Sequence, residues 1–196
     1  MEIIFATKNK GKIKEIKQIL PSFDILSMED AGICIDIVED GKTFIENAIK
    51  KASEIAKVSG KVTIADDSGL EIDFLDGKPG IHSARYLGEN TPYLEKNNHI
   101  LQEMENVPEQ KRTARFVCAI AAVFPNGKIL TAQDTIEGRI AYEQKGENGF
   151  GYDPIFFVPE LGKTTAELSS EQKNAISHRG KALQKMKQLL SQEEVH

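Results

Sequence analysis

The sequence predicts an α/β fold built on a mixed β-sheet, and two features of its patterning carry that prediction. The first sixty residues alternate short apolar segments with amphipathic ones, in the order strand, helix, strand, helix. Further on, two long apolar-rich segments are joined at Pro125-Asn126-Gly127, the turn chemistry of an antiparallel hairpin. A sheet that is parallel in one part and antiparallel in another accommodates both.

Glu2 to Ala6 reads as a short buried strand. Lys12 to Leu20 follows as a helix with Ile13, Ile16, Ile19 and Leu20 on one face, stopped by Pro21. Phe23 to Met28 suggests a second strand. Thr43 to Ser59 is a long helix whose Phe44, Ala48, Ala52, Ile55 and Ala56 form one stripe, with Gly60 at its end. Lys61 to Ala65 is a strand expected to end in a functional turn at Asp66-Asp67-Ser68-Gly69, before the alternating Leu70-Glu71-Ile72-Asp73-Phe74 and a second turn at Gly77-Lys78-Pro79-Gly80. Thr91-Pro92 reads as a cap with proline at the first helical position, opening a helix to about Asn106. Arg115 to Phe124 and Lys128 to Arg139 form the hairpin strands. Glu147 to Pro154 is a loop and Ile155 to Val158 a short strand closed by Pro159. Ser169 and Gln172 stand at capping-box spacing and open a final helix to about Leu190. No repeat or linker interrupts the 196 residues, so one domain of two lobes sharing a sheet is expected.

With 40% hydrophobic, 28% charged and 7% aromatic residues, the composition is that of a globular chain able to bury a real core. The longest apolar run, Phe116 to Phe124, is too short to span a bilayer, which needs about 20 residues. Lys8, Lys10 and Lys12 interrupt the N-terminal apolar segment before a signal peptide could form, so no membrane partner and a cytoplasmic location are expected. Cys34 and Cys118 match no metal or redox spacing and read as buried reduced thiols. A net charge of −5 argues against a protein whose main work is gripping nucleic-acid backbone.

Five segments can carry chemistry. Thr7-Lys8-Asn9-Lys10-Gly11-Lys12 joins a strand to a helix N-terminus, where unpaired N–H groups, the helix dipole and three lysines are the parts of an anion site. It is not a Walker A loop, and alone it equally describes a lysine-rich capping turn. Asp66-Asp67-Ser68-Gly69 places carboxylates at a strand end, where one can hold a hard cation or take a proton from water. Alternation along a strand gives the two aspartates different surroundings, one facing a cleft and the other capping the turn. Glu39-Asp40-Gly41 can supply a second carboxylate to Mg²⁺, which takes one or two from protein and fills the rest with water and phosphate oxygens. Phe150-Gly151-Tyr152-Asp153 sets aromatics around a glycine, a way for ring and backbone to approach a flat base. Lys173 and Ser177 share a helical face, whereas His178 and Arg179 join them only if the helix breaks.

Taken together these segments resemble the inosine triphosphate pyrophosphatase family along the whole chain. The matching blocks are T-x-N-x-x-K at Thr7 to Lys12, T-F-x-E-N-A at Thr43 to Ala48, A-D-D-S-G-L at Ala65 to Leu70, P-G-I-x-S-A-R-Y at Pro79 to Tyr86, G-F-G-Y-D-P at Gly149 to Pro154 and K-N-A-I-S-H-R at Lys173 to Arg179. The resemblance implies an elongated α/β structure whose two lobes flank a nucleotide-binding cleft, assembled as a homodimer. It also implies a Mg²⁺-dependent enzyme that converts non-standard purine nucleoside triphosphates (ITP, dITP, XTP) to the monophosphate and pyrophosphate. On that resemblance Thr7, Asn9 and Lys12, with Lys8, Lys10, Gly11 and the intervening backbone, grip the triphosphate, and Lys51 is a further candidate for the same charge. Asp67 is the catalytic carboxylate and a metal ligand, Glu39 its metal partner, and Ser68 a substrate contact. Phe150, Gly151, Tyr152, Asp153, Lys173, His178 and Arg179 form the nucleotide pocket. Two departures stand out: Lys8 occupies a position where a small residue is expected, and variable spacing before Gly41 leaves Glu39 and Asp40 as alternative ligands. A pyrophosphatase for pyrimidine or methylated nucleotides, a nucleotide sensor and an RNA-binding module are the rival readings, and the acidic charge with the carboxylate pair counts against the two binding roles.

Overall fold

A computed structural model describes residues 1–193 of the chain. Its elements are strands β1 (Glu2–Phe5), β2 (Asp24–Ser27), β3 (Thr63–Ile72), β4 (Lys78–Pro79), β5 (Thr113–Val123), β6 (Ile129–Ile140), β7 (Phe156–Val158) and β8 (Lys163–Thr164). The helices are α1 (Lys10–Ile19), α2 (Phe44–Ser59), α3 (Tyr93–Glu103), α4 (Ser170–Ile176) and α5 (His178–Glu193). The strands form one sheet in the order β2-β1-β3-β5-β6-β7-β8, with β4 paired to β3. β1 runs parallel to β2 and to β3, whereas β3–β4, β6–β7 and β7–β8 are antiparallel. The expected α/β class with a mixed sheet is therefore observed.

The chain packs as two compact units. The first comprises residues 1–67, 118–134 and the segment from His178 onward, and the second residues 68–117 and 135–177. In the first unit the sheet is covered on both faces, and the alternation of strand side chains sorts its core in two. Ile3, Phe5, Ile64, Ile120 and Ala122 pack with Ile16, Ile19 and Leu20 of the α1 segment and with Leu183, Met186 and Leu190 of α5. Ile4, Ala6, Ala65, Ala121 and Val123 pack with Ala48, Ala52, Ile55 and Ala56 of α2. Each fully buried Ile or Leu contributes roughly 1.5–3 kcal/mol of burial energy, so these two layers hold the strand ends rigidly.

The second unit has one core, from Leu70 and Ile72 of β3 through Ile100 and Met104 to Phe116, Ile136, Ile155 and Phe156. Its Phe116 and Phe156 rings lie 4.3 Å apart. Arg112 is buried there with no carboxylate partner among the described residues; its guanidinium donates to the carbonyls of Met104 (2.6 Å), Ala141 (2.7 Å) and Ile140 (2.8 Å), tying the end of α3 to the end of β6.

Four expectations are corrected. Asp66-Asp67-Ser68-Gly69 makes no turn, because β3 runs unbroken through all four residues with three of them buried. The final helix is two helices, α4 and α5, parted at Ser177, whose backbone is extended (φ −68°, ψ 156°). Pro92 takes the cap position of α3 rather than the first helical one, while the Thr91 hydroxyl donates to Leu87 O at 2.6 Å. Cys118 is buried but Cys34 is exposed, since it lies on the outward side of an extended segment whose Ile33, Ile35 and Ile37 face the α2 side of the core. The predicted capping box at Ser169 and Gln172 is present, with both reciprocal hydrogen bonds formed.

Candidate active site

The two-layer packing of the first unit fixes what the consecutive aspartates meet. Asp66 is in phase with Ile64 and faces α1 and α5; Asp67 is in phase with Ala65 and faces α2. On the Asp66 side, Lys12 Nζ lies 3.0 Å from the carboxylate and Arg179 donates to the same oxygen from Nε and Nη2 at 3.2 and 3.1 Å. Arg179 Nη1 also donates to Glu15. Two carboxylates and two cations, all buried or nearly so, form a neutral network. Burial alone would push the Asp66 carboxyl up, but the charges of Lys12 and Arg179 overcome it and hold the group well below the usual range. Burial likewise works against the Arg179 cation, and Asp66 and Glu15 raise its pKa in spite of it.

On the Asp67 side the balance differs. Lys51 Nζ lies 3.3 Å from Asp67 and 3.1 Å from Glu39, one ammonium shared by two carboxylates. The fully buried Asn47 amide donates to Asp67 Oδ2 at 3.0 Å while its Oδ1 accepts from Gly41 N at 2.8 Å. This group carries a net negative charge. Burial pushes the Asp67 carboxyl up from its ordinary value, and Lys51 only partly offsets that. At Gly41 an added Cβ would sit 2.6 Å from Asn47 Oδ1, so the glycine is what lets the Glu39 segment approach the helix start.

The same geometry places the two alternatives, Glu39 and Asp40, differently. Glu39 shares Lys51 with Asp67, whereas Asp40 is exposed and pairs with Lys50. A signal for this lies in the sequence: Ile33, Ile35 and Ile37 alternate inward along an extended segment, and Glu39 is next in phase. Among the described residues no three His, Cys, Asp or Glu side chains gather as a metal cage. Two carboxylates are nevertheless what Mg²⁺ ordinarily takes from protein.

The N-terminal loop is tighter than expected. Asn9 caps α1, its Oδ1 accepting from Gly11 N (2.9 Å) and Lys12 N (3.2 Å), while Asn9 N donates to Thr7 Oγ1 at 3.2 Å. Those amides serve the cap. Lys8 is exposed and paired with Asp36, and Lys10 is exposed at the first helical position.

The second unit holds Ser68, half-buried on β3, and the Phe150 loop. Gly149 (φ 74°) and Gly151 (φ 68°) are left-handed, and a Cβ at Gly149 would meet Asp153 Oδ2 at 2.1 Å. Asp153 is buried and organises this loop, accepting from Phe150 N (2.8 Å), Thr165 Oγ1 (2.7 Å) and Lys173 Nζ (2.6 Å). Lys173 Nζ also sits over the half-buried Phe150 ring, 4.8 Å from its centre. Tyr152 is buried, edge-on to Tyr93 at 5.2 Å, and its hydroxyl donates to Ser83 O at 2.7 Å.

The break at Ser177 divides the last predicted cluster. Lys173 and the buried Ser177 belong to the second unit, while the buried His178 and Arg179 open α5 in the first. Sequence assigns no role to Asn47 or Glu15, and to Asp66 only that of capping a turn that is not formed. Asn47 sits three residues into α2, on the same helical face as Lys51, which is the signal that pairs them.

The model of the Ham1 family matches residues 3–189. The dITP/XTP pyrophosphatase of Desulforamulus reducens is 48% identical over 198 residues, covering 100% of this chain and 98% of that one. A dITP/XTP pyrophosphatase of Clostridium perfringens is 50% identical over 95% of each chain. Among solved structures, the Staphylococcus aureus Ham1 protein superposes with a TM-score of 0.88 at 44% identity, covering 98% of this chain and 100% of that one.

Proposed function

The chain belongs to the Ham1 family, and from that premise we propose that it hydrolyses non-standard purine nucleoside triphosphates (ITP, dITP and XTP) to the monophosphate and pyrophosphate, keeping them from nucleic-acid synthesis. The observation that carries this reading is the Asp67 side of β3: two carboxylates share one ammonium and retain a net negative charge. Glu39 and Asp67 fit a magnesium ion, which when bound would offset the roughly four negative charges of the triphosphate.

In this reading Asp67 orients and deprotonates the water that attacks the α-phosphorus. Its burial favours holding a proton, and Asn47 fixes one of its oxygens so that the other stays directed toward Lys51. Lys12 and Lys51 supply positive charge to the phosphates, Thr7 and the Asn9 amide position them, and Lys8, Lys10 and Gly11 complete the loop. The Phe150 ring offers a face to the base, with Gly151, Tyr152 and Ser68 bounding the site. Lys173 retains donors beyond its bond to Asp153 for a 6-oxo purine, where adenine would present an amino group. Arg179, engaged by Asp66 and Glu15, serves to hold Asp66 and the α5 start, beside His178. A homodimeric assembly and a cytoplasmic location accompany this reading; no helix of the described residues is long and apolar enough to cross a membrane.

The test incubates the protein with ITP, XTP, dITP, GTP, ATP and dTTP, with and without Mg²⁺, and measures pyrophosphate against orthophosphate. Pyrophosphate from ITP, dITP and XTP only when Mg²⁺ is present is the expected outcome. Orthophosphate as the sole product, or no turnover of those three, sinks it.

A further inference from the structure

The Phe150 loop is held from one side by α3, through a residue with no role in the reaction as read so far. Asn97 is 1% exposed, and its Nδ2 donates to Gly151 O at 3.2 Å and to Gln144 Oε1 at 3.3 Å. This bond from Asn97 holds the Gly151 carbonyl in place. Gln144 is itself held, donating to Asn98 Oδ1 at 2.8 Å. One turn earlier on α3, Tyr93 packs against Tyr152 and faces Gly151, whose added Cβ would lie 3.6 Å from the Tyr93 ring. The adjoining Lys96 is also buried and donates to Ala84 O at 2.6 Å, next to the Ser83 carbonyl that receives the Tyr152 hydroxyl.

Asn97 Oδ1 is buried and meets no hydrogen-bond donor among the described residues. Turning the amide over would not relieve this, since it would set Oδ1 against the Gly151 carbonyl, acceptor against acceptor. The amide therefore keeps its donor on Gly151 and strands its acceptor, with a desolvation cost that leucine of similar size would not carry. A stability cost held beside a functional loop points to that loop's geometry as the reason for it.

We propose that Asn97 is a positioning residue for base selection: by fixing the Gly151 carbonyl it sets the Gly151–Tyr152 peptide and the neighbouring Phe150 ring against which the purine is read. This rests on the functional reading above. The loop has two left-handed glycines, so without the Asn97 bond the peptide gains freedom that a purine site cannot tolerate without losing discrimination.

The experiment compares wild type with Asn97→Leu for kcat and KM on dITP, XTP, dGTP and dATP, together with melting temperature. For Asn97→Leu the ratio of kcat/KM for dITP to that for dGTP should fall about five- to tenfold, mainly through KM, while the melting temperature stays level or rises. Gln144→Ala, which leaves the Asn97–Gly151 bond and removes the second partner of Asn97 together with a bond to Asn98, should shift the ratio in the same direction by about twofold, and it serves as the test if Asn97→Leu fails to fold. Selectivity unchanged in the folded variant, or a loss of activity equal for all substrates with a lowered melting temperature, overturns the inference. A wild type that releases no pyrophosphate from dITP or XTP overturns instead the function on which it rests.

Discussion

The two sides of β3 put neighbouring carboxylates to opposite uses. On the α1/α5 side Asp66 and Glu15 meet Lys12 and Arg179, the charges cancel, and every group is locked by its partners. On the α2 side Asp67 and Glu39 share the Lys51 ammonium, Asn47 holds the other Asp67 oxygen, and burial lifts the Asp67 pKa against the charges of Lys51 and Lys12. The first arrangement stabilises a fold; the second is left with negative charge to share with a cation or a proton. Nothing in the dipeptide Asp-Asp distinguishes them. The difference comes from strand alternation and from which helix covers which face.

The sharpest way to break this comparison is to neutralise each aspartate in turn. Asp67→Asn should lower kcat by about 10²–10⁴, the range for loss of a general base, with the melting temperature unchanged or raised because a costly buried charge is gone. Near-normal turnover would remove Asp67 from its role. Asp66→Asn leaves Arg179 and Lys12 with Glu15 alone, and breaking a buried ionic network in this way costs about 3–5 kcal/mol. Urea unfolding should show that loss, and a variant as stable as wild type would refute the structural role.

A finer test separates the acids at the end of the Ile33–Glu39 segment. Glu39→Gln should raise the Mg²⁺ concentration needed for half-maximal activity by roughly 10–100-fold, as loss of a metal ligand or its support does. Asp40→Asn, which disturbs only the exposed pair with Lys50, should leave it unchanged. The reverse pattern would return Asp40 as the ligand.

These two sides also show which features were legible in sequence. Strand and helix order in the first unit was readable because both faces of the sheet demand apolar residues, and the helices carry one clear stripe each. Asp66 to Gly69 was misread as a turn because Asp, Ser and Gly earn their turn preference in water, where the backbone has no better partner. Here the sheet ladder satisfies the backbone and Lys12, Arg179, Lys51 and Asn47 pair with the side chains, partners that are 16 to 113 residues away and invisible to a local window. The same blindness hid Asn47 and Glu15. The break at Ser177 carries neither Gly nor Pro; Gly180, the nearest such signal, sits inside α5. Arg179 was placed in the base pocket with Lys173 on the family resemblance, and local spacing joined the two only through such a break. Glu39 stood in plain view, in phase with three isoleucines, and only the length of that alternating segment identifies it as inward.

The smallest expected effect is on pH dependence, and it distinguishes the two sides by sign. Asp66 has a folded pKa below its unfolded value of about 3.9, so its contribution to stability is complete above that value and is lost as pH falls toward the folded pKa. Asp67 has a folded pKa above its unfolded value, so its contribution is present below about 3.9 and is lost as pH rises through the folded pKa. Urea unfolding of wild type, Asp66→Asn and Asp67→Asn between pH of about 3 and 7 without added metal reads both. As pH rises, Asp66→Asn should fall progressively below wild type, and Asp67→Asn should climb relative to it. The two difference curves therefore have opposite signs and adjoining ranges, that of Asp66→Asn growing up to about pH 3.9 and that of Asp67→Asn growing above it. Curves of the same sign would mean that Lys51 satisfies Asp67 as fully as Lys12 and Arg179 satisfy Asp66, and the contrast between the two faces of β3 would then lie in position alone and not in charge.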